Sequence, residues 1–115
     1  MNRSTFAKLL ERDGHKCLHC GTTEGLVPQH RKNRGMGGSK LRDVPSNQIV
    51  LCSGFNGLIE ADATAASVAI AYGWKVEGLD AWELIPVYDV TAQGWFVLDD
   101  QYNRLAVTSG DYQNG

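Results

Sequence analysis

The run Gln29-His30-Arg31-Lys32-Asn33-Arg34-Gly35-Met36-Gly37-Gly38 places a histidine at the end of a short apolar stretch (Leu26, Val27). Three cations and three glycines follow it at once. Glycine lets a backbone approach a ligand closely, and arginine and lysine at this density suit phosphate oxygens. A lone histidine before a basic loop is more often a surface or packing residue, so its neighbours must carry the argument. A second chemical signal precedes it. Cys17-Leu18-His19-Cys20-Gly21 is a tight knuckle that reads as half of a zinc site or as two thiols in a turn, and Cys52 is the third cysteine. An odd CxxC-plus-one set points away from a disulfide framework, towards metal or inert thiols.

Charge divides along the chain. Residues 1–42 carry nine Lys and Arg against three acids, whereas residues 43–115 carry two against ten. The basic half, with Arg31, Lys32, Arg34, Lys40 and Arg42 in or beside the loop, suggests a polyanion partner. The acidic half confines any nucleic-acid contact to one side and leaves a surface for a protein partner.

The elements that must position these residues can be read in order. Ser4 or Thr5 can cap a helix running to about Asp13, with Phe6, Leu9 and Leu10 on one face and Gly14 as its stop. Leu26 to His30 reads as a strand, and Pro28 within it suggests an edge or a bulge. The glycine loop runs to about Val44, and Pro45-Ser46-Asn47 is a turn. Gln48 to Leu51 is a second strand ending at Cys52. Gly54 to Ala71 is helical in pattern, broken near Asp62–Thr64, where Asp62 or Thr64 can cap a second piece, and Gly73 ends it. From Ile85 to Val90 and from Trp95 to Leu98 the pattern alternates around a turn at Ala92-Gln93-Gly94, which predicts a β-hairpin. Asn103-Arg104 can turn the chain again into Leu105-Ala106-Val107. A chain of 115 residues makes one domain, 1–115. No apolar run is long enough to span a membrane and no signal-peptide core is visible, so a soluble cytoplasmic protein is expected.

The order strand, histidine, loop, strand, helix resembles the HNH endonucleases. The likeness is nearer to the small HNH proteins encoded by bacteriophages of actinobacteria. It is carried by Leu10 to Gly21, Gln29 to Gly38, Asn47, Leu51-Cys52 and Asn56-Gly57-Leu58-Ile59-Glu60, over roughly residues 5–76. It implies an α+β fold: a ββα-metal core with an N-terminal helix and Cys knuckle, followed by a C-terminal β-hairpin at about 84–107. It also implies phosphodiester hydrolysis of DNA leaving a 5′-phosphate, in the cytoplasm of the host cell. His30 takes the part of general base for the attacking water, its imidazole being nearly matched to neutral pH. Asn47 ties the loop that orients it. Gln29, Asn56 and Glu60 form the metal set, since Asn56 and Glu60 are four apart and share a helix face.

Two departures from the family pattern matter. Relatives often carry His or Asp at the position of Gln29 and His at that of Asn56. Neutral amide oxygens hold a dication more weakly and shift preference towards magnesium or manganese. Relatives also often close a four-cysteine zinc site with two CxxC pairs, whereas here Phe55 stands three places after Cys52. A Cys17-Cys20-Cys52 site would need His15 or His19 as its fourth ligand. The other reading, which we favour from sequence, is a lost zinc site whose gap Phe55 fills. The functional alternatives are a DNA- or host-protein-binding protein with weakened cleavage, or a zinc-ribbon interaction module.

Overall fold

The computed structural model describes residues 3–33, 40–78 and 81–108. Gly14 and His15 end the first helix. Both take positive φ, 80° and 58°, and the His15 amide reaches back to the Leu10 carbonyl at 2.8 Å, a left-handed stop. That helix, α1 (Arg3–Asp13), buries Leu9 and delivers Arg12 and Asp13 to the interior.

Strands β1 (Leu26–His30) and β2 (Gln48–Cys52) pair antiparallel, His30 opposite Gln48 and Leu26 opposite Cys52. β1 has a partner on one side only, which accommodates the missing N–H of Pro28. Among the described residues the outer edge of β2 is satisfied by side chains and by the Leu18 amide, which donates to the Val50 carbonyl at 3.2 Å, instead of a third strand. Asp13 Oδ2 accepts the Val50 amide at 3.0 Å, and Arg12 donates to the carbonyls of Pro45 and Gln48 while pairing with Asp13 at 2.8 Å. Burying this ion pair is tolerable because its polar atoms are hydrogen-bonded.

Directly after β2 come helices α2 (Ser53–Ala61) and α3 (Ala63–Ala71). Cys52 caps the first through its Sγ, which accepts the Phe55 amide at 3.5 Å. Asp62 breaks the pair, its carboxylate accepting the amides of Thr64 and Ala65.

The C-terminal part is a three-stranded antiparallel sheet of β3 (Val87–Asp89), β4 (Gly94–Leu98) and β5 (Arg104–Val107). The expected hairpin is joined by the segment into which Asn103-Arg104 turns the chain, and β3 is shorter than the alternation suggests. The segment Ile85-Pro86 is withdrawn from the sheet because it packs on Gly73. A Cβ at that glycine (φ 76°) would lie 1.9 Å from the Pro86 carbonyl oxygen. Leu18, Ile49, Leu51, Phe55, Ile59, Trp74, Val87 and Leu98 form one buried cluster, so both sheets share a core. The architecture is α+β, with three α-helices and two small antiparallel sheets among the described residues. Among these residues no helix is long and apolar enough to cross a membrane.

Candidate active site

His30 closes β1, and its Nε2 lies 3.0 Å from Asp43 Oδ1, with 27% and 32% of the two side chains exposed. The pair is therefore within reach of a substrate. The backbone beneath it is fixed by Asn47, which is fully buried. Its Oδ1 accepts the Lys32 amide at 2.9 Å, and its Nδ2 donates to the Lys32 carbonyl at 2.9 Å and to the Arg42 carbonyl at 2.8 Å. One side chain thus joins the start of the loop to its end. Gln48, opposite His30, donates weakly to Asp43 Oδ1 at 3.4 Å.

Arg31 is not available to a phosphate, contrary to its sequence assignment. It is fully buried, and its guanidinium donates to the carbonyls of Gly73 at 2.8 Å, Trp82 at 2.8 Å, Ile85 and, more weakly, Ser46 at 3.4 Å. The alternation of β1 explains this: residue 31 continues the inward face of Gln29. Lys32 and Arg42 are half-buried at the loop's two ends, Arg42 donating to the Asn33 carbonyl at 2.7 Å. Arg34 and the side chain of Lys40 lie outside the described residues.

Of the proposed ion ligands, Gln29 is buried and spends its amide N–H on the His30 carbonyl at 3.0 Å, so its oxygen is the atom left for a ligand role. Asn56 Oδ1 on α2 is buried with no hydrogen-bond partner, as is Gln48 Oε1. A buried amide oxygen without a donor costs about 1–3 kcal/mol, and a hard dication is one group that would satisfy it. Hard amide oxygens of this kind suit magnesium or manganese better than zinc. Glu60, one turn further along α2, is exposed, and His30, Asp43 and Glu60 do not gather into a three-ligand cluster of their own.

Such a cluster does exist at the knuckle. The sulfurs of Cys17, Cys20 and Cys52 lie within 4.8 Å of one another, and those of Cys20 and Cys52 are 3.9 Å apart. Tetrahedral ligands at ~2.3 Å from zinc are about 3.8 Å apart, so the spacing can hold a metal ion. Neither histidine completes it. His15 is exposed, and the His19 ring stacks on Phe55 with centroids 3.6 Å apart and planes at 4°. Phe55 thus stacks on His19 while the three thiols remain together. Burial pushes the Cys17 thiol up to about 11. Burial also acts upwards on Cys52, but hydrogen bonds from the Phe55 amide and the neighbouring thiols outweigh it, so Cys52 ionises more readily than usual.

Sequence reasoning missed Asp43 and Lys75. Asp43 is thirteen residues from His30 and carries no spacing signal. Lys75, one of the two cations after residue 42, was legible only as an oddity of charge. Compared with known proteins, the chain matches no protein-family model, no curated protein and no solved structure.

Proposed function

We propose that the protein is a metal-dependent DNA endonuclease of the HNH type. The reading is carried by one observation: an accessible His30–Asp43 pair at the end of β1, on a loop whose two ends Asn47 ties together. The order β1, loop, β2, α2 and the unsatisfied Asn56 oxygen support it. With Asp43 accepting the Nε2 proton, the lone pair of His30 lies on Nδ1 and can take a proton from water. The water oxygen bonds to phosphorus, the bond from phosphorus to the 3′ oxygen breaks, and that oxygen leaves as a hydroxyl once protonated. A divalent ion held by Gln29, Asn56 and Glu60 would supply charge stabilisation at the leaving oxygen. Supercoiled plasmid incubated with magnesium or manganese, beside a His30→Ala control, tests the reading. Nicking that needs both metal and His30 sustains it, and an inert wild type removes it.

A second reading, a cleavage-weakened relative that binds a protein, is favoured by a groove of about 950 Å3 on the acidic half. Glu83, Asp99 and Asp100 line it beside Leu41 and Leu105, which are 82% and 69% exposed. In either case the three cysteines are proposed to hold a metal ion such as zinc, with solvent as its fourth ligand.

A further inference from the structure

Lys32, Arg42 and Lys75 line a polar cleft of about 350 Å3, together with Asn33, Val76, Glu77 and Gly78. All three cations stand on backbone that other contacts hold in place. Asn47 grips Lys32 at its amide and carbonyl and Arg42 at its carbonyl. The Val76 amide donates to the Arg31 carbonyl at 2.8 Å, which draws the 75–78 segment onto the loop. Lys75 is thus a cation of the acidic half folded back against the basic half. Among the described residues that line it, three positive groups accompany one carboxylate, Glu77, and that residue is exposed. The cleft is also adjacent in the chain to the candidate catalytic pair, since Lys32 is two residues beyond His30 and Arg42 precedes Asp43.

We propose that this cleft seats a nucleic-acid backbone phosphate neighbouring the one attacked at His30, with Lys75 as its third cation. The inference rests on the nuclease reading and adds a binding residue to it. Arginine supplies a planar fork and the lysines supply mobile point charges, a combination suited to a phosphodiester tracked along a strand. The cleft fixes register and carries no base recognition.

The test is fluorescence anisotropy of a labelled 20-base-pair duplex at several salt concentrations, in a His30→Ala background that prevents cleavage. Lys75→Ala should weaken binding and lower the slope of log K against log salt by about 0.9, one phosphate contact. Lys75→Arg should restore both, which a merely structural lysine would not require. Unchanged slope and affinity in Lys75→Ala, with the parent protein binding normally, overturns the cleft and leaves the nuclease reading standing. Failure of the parent to bind DNA at all overturns both. Inorganic phosphate titrated against 15N-labelled protein separates the sources. Saturable shifts of the Lys75–Gly78 amides without duplex binding would reassign the cleft to a free anion and overturn the nucleic-acid proposal.

Discussion

Asp43 Oδ1 stands 3.0 Å from His30 Nε2 across the mouth of the loop. The carboxylate therefore selects which ring nitrogen carries the proton and which way the imidazole points. His30→Ala is expected to lower nicking by roughly 10²- to 10⁴-fold, the usual range for a lost general base. Asp43→Asn keeps the shape and removes the charge, and its expected loss in kcat is on the order of 10- to 100-fold with KM little changed. Single-turnover cleavage of a labelled duplex measures both. Equal rates for Asp43→Asn and wild type would free His30 from this partner.

Under the proposed function, Asn56 is expected to show the opposite signature, a ligand role held at the expense of stability. Its buried oxygen lacks a donor, so Asn56→Ala should leave the denaturant midpoint unchanged or raise it by up to about 1 kcal/mol equivalent. The same variant should abolish metal-dependent cleavage. Asn56→His should tighten manganese binding by on the order of tenfold, read by calorimetric titration. Indistinguishable manganese isotherms for wild type and Asn56→Ala would place the ion elsewhere.

For Arg31 the expected loss is of fold. Arg31→Ala leaves the carbonyls of Gly73, Trp82 and Ile85 without their shared donor and should cost roughly 2–5 kcal/mol in urea unfolding. Its salt slope for DNA, measured where the variant is still folded, should match wild type. A lowered slope with normal stability would return Arg31 to the phosphate-binding set.

Zinc added to the reduced protein should raise its thermal midpoint, with a gain of about 2.7 kcal/mol when free zinc is a hundredfold above the dissociation constant. Chelation should reverse it. Cys20→Ser removes the exposed ligand, one of the pair 3.9 Å apart, and should remove most of the shift without disturbing the metal-free fold. Cadmium titration followed by thiolate charge-transfer absorption provides an independent readout. Identical absorption in Cys20→Ser would exclude a three-sulfur site.

His19 makes the metal-free protein sensitive to acid. Burial lowers its pKa below the ordinary 6.5, because the folded state favours the neutral ring stacked on Phe55. The stability this confers is complete above 6.5 and is lost as pH falls through the lowered folded value. His19→Phe preserves the stack and should flatten this part of the stability–pH curve. Persistence of the acid slope in that variant would assign it to other groups.

The parts of the molecule legible in the sequence are those fixed by local chemistry. β1 is bounded by the apolar run and the histidine, and the α2–α3 break falls at Asp62 because its carboxylate caps the next turn. The hydrogen bonds that hold Arg31 inside were not legible, because its three shortest run to backbone carbonyls 42 to 54 residues away, and a carbonyl has no sequence signature. Asp43 was hidden for a related reason: tertiary contacts such as the Asn47 bond to the Arg42 carbonyl, not spacing, hold it beside His30. Phe55 was legible as a missing ligand, but its stack on His19 depended on the knuckle lying against α2.

The long reach of Arg31 bears on when the candidate site comes into being during synthesis. Both strands of the β1–β2 pair leave the ribosome before residues 73, 82 and 85, whose carbonyls hold the arginine. At about 5–20 residues per second, the nascent loop spends on the order of seconds without its anchors. A released fragment ending near residue 60 would carry His30 and its neighbouring cations without the carbonyls of residues 73, 82 and 85 that anchor Arg31. The braced geometry of the candidate site is therefore expected to arrive late, only after residue 85 has emerged.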